Sequence, residues 1–170
     1  RGEVIADPTS KCLPQGMPRF MVASYPLEIL QTKGQVTIIA EWSSQVRRIF
    51  TDGRPHPPED EVDITFNGHS IGRWEGQTLV VDTTNFNDGR GFYGDAGGNF
   101  PWDRHLRLTE RFSLMDRNTL LYQFEIDNPT AYTRPWKGEL TMSRTDQRIY
   151  EFACHEANYS LENMLRGQRA

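Results

Sequence analysis

The chain has 170 residues and a formal net charge of −4 at pH 7, with acidic and basic residues interspersed. This length suits one domain built around one hydrophobic core, so we predict a single domain over 1–170. Lys and Arg form no run long enough for a nucleic-acid surface, and no apolar stretch approaches the roughly 18 residues of a membrane span. We therefore expect neither nucleic acid nor membrane as a partner.

The N-terminal residues 1–20 predict an extended arm, because their three prolines and Gly16 oppose a helix. The two cysteines, Cys12 and Cys154, lie near opposite ends of the chain. They could form one disulfide that closes nearly the whole chain, or they could be two buried free thiols. The redox compartment decides between these alternatives.

Apolar and polar residues then alternate with period two, which is typical of β-strands. In chain order we predict hairpins at 27–42 (turn Lys33-Gly34), 69–84 (turn 75–77), 106–127 (turn 115–118) and 138–156 (turn 145–147). A single strand at 45–51 follows the first hairpin. Only 159–168 predicts a short helix. The pattern indicates an all-β fold, either an antiparallel up-and-down barrel of calycin type or a strongly curved sheet. A two-sheet sandwich is the structural alternative.

Two connections interrupt this pattern. Residues 53–61 contain three prolines and predict a loop, since proline cannot donate to a ladder. Residues 85–103 are rich in Gly, Asn and Asp but also contain aromatic residues. A loop of that length predicts a cover over a binding pocket.

The strand at 106–114 carries the strongest anomaly. Glu110 falls on the same face as Leu108 and Phe112, where an ionised carboxylate is costly without a partner. A raised pKa would suit a general acid or base. The structural alternative is a Glu–Arg pair inside the barrel or at its rim.

A second candidate lies on the 69–84 hairpin. His69, Ile71 and Arg73 share one face, and we expect Asp82 to oppose Ile71, diagonal to both His69 and Arg73. An Asp that orients an imidazole favours proton transfer. The same geometry also fits an ordinary cross-strand pair between Arg73 and Asp82.

Further residues complete the predicted site. Tyr132 is a candidate hydrogen-bond donor to an oxyanion, and Arg73 or Arg48 a candidate for holding a substrate anion. The predicted pocket wall is aromatic: Trp42, Phe112, Tyr122, Phe124 and Trp136. The histidines lack metal-ligand spacing and no dinucleotide or phosphate motif is present, so we expect no metal and no organic cofactor.

These features favour an enzyme that performs acid/base chemistry on a small molecule inside a barrel, as a lyase, isomerase or hydrolase. Glu110, His69 and Tyr132 would be its catalytic residues. A non-catalytic, lipocalin-like carrier or sensor of an apolar or aromatic ligand is the alternative. A subunit that packs loop 85–103 against a partner chain, including a homodimer, also stays open.

Several sequence phrases resemble a family of exported bacterial proteins of uncharacterised function. They lie at 12–19 (CLPQGMPR), 28–32 (EILQT), 45–56 (QVRRI through TDGRPH) and 68–76 (GHSIGRWEG). The resemblance implies a secreted or periplasmic protein with a lipocalin-type barrel. It implies no catalytic residues.

Overall fold

The computed structural model describes residue 9 and residues 12–58, 61, 63–88, 92–93, 99–154 and 159–168. In chain order the elements are α1 (Arg19–Val22), β1 (Leu27–Thr32), β2 (Gln35–Ala40), a 3-10 turn (Trp42–Ser44), β3 (Val46–Phe50), β4 (His69–Glu75), β5 (Thr78–Thr84), β6 (Phe92–Tyr93), β7 (Asn99–Phe100), β8 (Arg107–Asp116), β9 (Thr119–Asp127), β10 (Trp136–Ser143) and α2 (Ser160–Gln168). The all-β prediction and the C-terminal helix are confirmed.

Eight strands form one curled sheet, a half-barrel, in the order β1-β2-β3-β4-β5-β8-β9-β10. The short β6 and β7 pair separately. The predicted hairpin turns form at Lys33-Gly34 and at Gly76-Gln77, where Gly34 and Gly76 have positive φ angles of 76° and 61°. Glycine suits such turns because it adopts positive φ without steric cost.

One pair of strands departs from the antiparallel prediction. β3 and β4 run parallel, with Ile49 opposite Ser70 and Phe50 opposite Ile71. The connection 51–68 contains prolines that oppose a tight hairpin, and β4 begins beside the C-terminal end of β3.

The predicted last hairpin is wrong in its second half. β10 pairs with β9, and residues 148–154 form no strand. The segment instead leaves the sheet: the Tyr150 backbone N–H donates to Glu41 Oε2 at 3.0 Å, and Cys154 is disulfide-bonded to Cys12. Tertiary attachment therefore overrides the local strand pattern.

The concave face of the half-barrel is filled by the chain's own N-terminal segment. Met17, Phe20 and Met21 are at most 1% exposed and join the apolar side chains of the strands in one core. Full burial of such side chains stabilises the fold by about 1.5–3 kcal/mol each. The extended arm predicted for 1–20 is therefore wrong from Gln15 onward, because this segment is packed into the core.

Within the described residues, no helix is long and apolar enough to cross a membrane.

Candidate functional site

Charged side chains cluster on both faces of the central strands. In β4 and β5, Ser70 and Thr83 point to the concave face and are at most 1% exposed. Their chain neighbours His69 and Asp82 point to the convex face and are half-buried. Successive side chains of a strand alternate between faces, so these neighbours belong to two different sites.

The concave cluster centres on an ion pair between Arg47 and Glu110, side chains that are 1% and 0% exposed. Arg47 Nη1 donates to Glu110 Oε1 at 2.8 Å, and Nη2 donates to Oε2. The hydroxyl of Tyr122 donates to Glu110 Oε1 at 2.8 Å. The carboxylate is therefore held by a bidentate guanidinium and a phenol.

Two hydroxyls complete this cluster on the guanidinium side. Ser70 Oγ accepts from Arg47 Nε at 3.2 Å and from Nη2 at 3.0 Å, and Thr83 Oγ1 accepts from Nη2 at 2.9 Å. One residue comes from each of the neighbouring strands β3, β4, β5, β8 and β9. We call this set the buried polar belt: Arg47, Ser70, Thr83, Glu110 and Tyr122.

The belt fixes charge instead of exchanging protons with solvent. Burial works to lower the pKa of Arg47, but the charge of Glu110 and the hydrogen bond with it outweigh burial and raise that pKa. Burial and then the Glu110 charge raise the pKa of Tyr122 well above its ordinary value. Arg47 therefore stays positively charged and Tyr122 stays neutral in this buried network.

The structural alternative foreseen for Glu110, an interior Glu–Arg pair, is therefore formed. The phenol that reaches the buried carboxylate is that of Tyr122, which was predicted only as part of the pocket wall. Tyr132 instead packs edge-on against Trp136, with ring centroids 5.8 Å apart, and burial raises its pKa.

The convex cluster is built around two histidines in direct contact. His56 Nδ1 and His69 Nδ1 are 2.9 Å apart, and His56 Nε2 lies 3.5 Å from Asp82 Oδ2. The side chains of His56 and Asp82 are 19% and 16% exposed. This histidine cluster is therefore sheltered but reachable from solvent.

Local sequence explains why these groups meet. Gly68 precedes β4 with a φ of 65°, and a Cβ there would lie 2.5 Å from the Thr84 carbonyl oxygen, so only glycine lets β4 start beside the end of β5. His69 begins β4 and stacks on Phe50 of β3, with ring centroids 5.4 Å apart. The proline-rich connection 51–58 carries His56 over this ring.

Asp82 opposes Ile71, as predicted from the hairpin register. Its charge partners differ from the prediction: Arg107 of β8 donates to its two oxygens at 3.0 and 2.7 Å, and His56 is the neighbouring imidazole. Arg73 donates instead to Glu75 and is exposed. The predicted Arg73–Asp82 contact is therefore wrong, because Arg107 on the adjacent strand binds Asp82 with both nitrogens.

The short Nδ1–Nδ1 distance constrains the protons of the pair. One nitrogen must donate and the other accept, so at least one imidazole is neutral. If His56 directs Nε2–H toward Asp82, its bare Nδ1 accepts from His69 Nδ1–H, and His69 Nε2 is left as an unprotonated base. Burial, followed by the charges of His56 and Arg54, lowers the pKa of His69 and so favours its neutral form.

His69 opens onto a cleft of about 360 Å³ between β3 and the segment 65–68. Its lining includes Arg48, Gln45, Asn67 and Phe66, together with Arg47 and Ser70 of the buried polar belt. The predicted anion holders were Arg48 and Arg73. Of these two, Arg48 borders this cleft and is exposed. Arg73 lies four residues further along β4, roughly 13 Å from His69 at strand spacing.

The predicted aromatic wall is not one surface. Phe112 and Tyr122 are buried in the concave core, with ring centroids 5.0 Å apart. Trp136 packs half-buried against Phe124 on the same face. Trp42 lies in the 3-10 turn beneath Arg19, whose guanidinium carbon is 4.7 Å from the centroid of the Trp42 ring. None of these residues borders the cleft at His69.

Glu110 and His69 therefore do not form the expected acid/base pair, because they point to opposite faces of the sheet. The predicted cover at 85–103 lies partly outside the described residues, at 89–91 and 94–98. Among the residues that the structure describes, no group of three or more His, Cys, Asp or Glu side chains is arranged to hold a metal ion.

Two important residues were missed in the sequence. Arg47 shares its strand face with Ile49 and shows the same period-two anomaly as Glu110, so a search for a complementary charge on an apolar face would have found it. His56 lies in a proline-rich loop without periodicity. Only the three-dimensional path of the loop brings it to His69.

Comparisons of the chain with protein-family models, with curated proteins and with solved structures gave no significant match.

Proposed function

We propose that the chain is an enzyme that transfers a proton to or from a small organic anion without an organic cofactor. The observation that carries this proposal is the 2.9 Å contact between the Nδ1 atoms of His56 and His69 beside an open cleft. Two coupled imidazoles that face a carboxylate can accept a proton at one end and share its charge at the other.

The step that fits is abstraction of a proton from a carbon next to a carbonyl group. His69 Nε2 takes the proton, the C–H bond breaks, and its electron pair moves to the carbonyl oxygen as an enolate. The Nδ1 proton of His69 moves toward His56, whose positive charge Asp82 stabilises. Return of a proton from His69 to carbon completes the cycle, so atoms and charge balance.

Arg48 supplies the preference for an anion. It is an exposed charged side chain in the cleft lining, and a guanidinium binds a carboxylate through two parallel hydrogen bonds. Asp82 does not repel such a substrate strongly, because Arg107 neutralises it. A small 2-oxo acid has the required carboxylate, carbonyl group and acidic C–H bond.

We further propose an oxidising location for the protein, in the periplasm or outside the cell. The disulfide between Cys12 and Cys154 supports this, since disulfides persist in oxidising compartments and are rare in the cytosol.

The test follows solvent exchange instead of product formation, because it needs no knowledge of the final reaction. Purified protein is incubated in D2O with a panel of 2-oxo acids, and proton NMR follows loss of the C3–H signal. We expect exchange of at least one member to exceed the buffer rate, and His69→Gln to abolish the excess. Exchange that never exceeds the buffer rate in any panel member contradicts the proposal.

Arg48→Gln tests the anion contact with a matched control. We expect it to raise the substrate concentration needed for half-maximal exchange about tenfold or more, as loss of a charged hydrogen bond worth about 1.5–3 kcal/mol requires. Arg111→Gln removes another exposed arginine of the convex face, which pairs with Glu75 away from the cleft. An equal loss in both variants would contradict specific anion binding at Arg48.

A carrier of aromatic ligands is the second candidate. The observation in its favour is the half-buried aromatic cluster at the β9–β10 end, where Phe124, Trp136 and Tyr132 pack edge-on in sequence. Tryptophan fluorescence during titration with an aromatic acid tests it: a saturable change that Trp136→Leu removes supports a carrier, and no change contradicts it.

A further inference from the structure

The proline-rich segment 51–58 lies over β3 and β4, and the Thr51 backbone N–H anchors its start by donating to the Gly34 carbonyl oxygen at 2.9 Å. Within the segment, Arg54 binds Asp52 and covers the Phe50 ring, with its guanidinium carbon 4.1 Å from the ring centroid. Among the described contacts of 54–58, the side chain that reaches β4 and β5 is that of His56. Its imidazole therefore fastens the segment beside the cleft.

The protonation state of the two imidazoles decides whether this attachment holds. With both imidazoles neutral, one Nδ1–H donates to the other Nδ1. With one extra proton the contact persists, because a charged donor still faces a bare acceptor. With two extra protons, two N–H groups and two positive charges face each other at 2.9 Å, and no hydrogen bond is left.

We infer that the contact between His56 and His69 is a pH-sensitive latch, which holds segment 51–58 beside the cleft near neutral pH and releases it when both imidazoles are protonated. The geometry of the latch stands without any function for the site. The inference depends on the proposed function only in that release would control access to His69.

Charged groups from every neighbouring element set the release point. Asp82 of β5 lies 3.5 Å from His56, and Arg107 of β8 pairs with that carboxylate. Arg54 of the segment opposes a proton on His69, and Asp52 in turn pairs with Arg54. Arg48 of β3 adds positive charge on the cleft side. Burial and these positive charges together resist a proton on His69.

The experiment observes the hydrogen bond itself. In protein labelled with 15N at histidine, a scalar coupling between the two Nδ1 nuclei reports an N–H···N bond. We expect this coupling at about pH 7.5 and its loss by about pH 4.5, on either side of the ordinary histidine pKa. Over the same range, 15N relaxation of the Arg54 and His56 amides should show increased nanosecond mobility.

The number of protons involved also sets how steeply release of the latch depends on pH. The contact persists with one extra proton, and release requires a second. Below neutrality the fraction of molecules with the segment released should therefore rise about tenfold per pH unit until it saturates. His56→Gln keeps a side chain that can hydrogen-bond to His69 but does not titrate. In this variant the mobility of the Arg54 amide should no longer depend on pH in this range.

His105→Gln is the matched control, because His105 is an exposed histidine that pairs with Asp103 away from the cleft. This variant should keep the transition of the unmodified chain. Absence of the coupling at neutral pH, or the same pH transition in His56→Gln, would overturn the latch. Both readouts need no substrate, so solvent exchange that fails while the latch titrates refutes only the proposed function.

Discussion

The buried polar belt and the histidine cluster are built on the same strands and yet are suited to different tasks. β4 contributes Ser70 to the belt and His69 to the cluster, and β5 contributes Thr83 and Asp82 in the same way. In the belt each charge is fully buried and bound by fixed partners. In the cluster the groups are half-buried, and the two imidazoles contact each other through their Nδ1 atoms.

The difference shows why a misplaced charge in a sequence is an ambiguous sign. Glu110 is the most deeply buried acid of the described residues and was the strongest anomaly, but Arg47 and Tyr122 saturate its oxygens. A saturated network specifies packing. His69 is less conspicuous in the sequence, but it lies half-buried at the cleft in direct contact with His56.

The largest expected effect on the free energy of unfolding comes from removing the disulfide, which belongs to the concave side. Replacing Cys12 and Cys154 together with serine should lower the free energy of unfolding by about 5 kcal/mol, since the bond closes a loop across 142 positions. Urea unfolding under oxidising conditions measures it. The bond joins the segment that fills the concave face, so the histidine coupling should survive in the folded fraction. A loss below about 1 kcal/mol would contradict this entropy argument.

The second largest expected effect on stability comes from neutralising the carboxylate at the centre of the belt. Glu110→Gln leaves Arg47 charged, buried and without a counterion, which should cost about 3–5 kcal/mol in urea unfolding. Glu75→Gln is the control, because Glu75 is an exposed acid that also pairs with arginines. If the two variants unfold at the same urea concentration, the belt does not hold the fold together.

Removing a single donor from the belt should have a smaller effect. Tyr122→Phe keeps the ring but leaves Glu110 Oε1 with one partner fewer, which should cost about 1–3 kcal/mol. The carboxylate is buried and cannot recruit water in its place. Equilibrium unfolding that matches the unmodified chain would show that the phenol contributes packing alone.

The smallest effect expected is a dependence of stability on pH from the cluster. The pKa of His69 is lowered in the folded state, so between that value and the ordinary value near 6.5 the unfolded chain binds more protons. Stability should therefore fall as pH drops below about 6.5, and more weakly in His69→Gln. Urea midpoints measured at several pH values check this, and identical profiles would contradict it.

The period-two pattern was sufficient to predict most of the strands, most turns and the cross-strand position of Asp82, because these depend on neighbours in sequence. It could not reveal the parallel β3–β4 pair or the filling of the concave face by residues 15–21. Both depend on long connections whose path is set by tertiary packing. Residues 148–154 show the same limit, since a disulfide holds them away from the sheet.

The candidate site was predicted in part. His69 and Asp82 were candidates because of their strand positions and Arg48 as an anion holder, and the structure places His69 and Arg48 at one cleft. His56 was not found, because a proline-rich loop has no periodicity that predicts where it points. Glu110 and Tyr132 were assigned to the same site because sequence alone does not show which face is filled.

The most direct test compares one variant from each region in the same two assays. Thr83→Val removes a hydroxyl of the belt and should lower the unfolding free energy by about 1–3 kcal/mol, while solvent exchange per folded molecule stays unchanged. His69→Gln should leave stability near that of the unmodified chain and abolish exchange. Exchange that survives in His69→Gln but is lost in folded Thr83→Val would place the chemistry on the concave face and contradict this account.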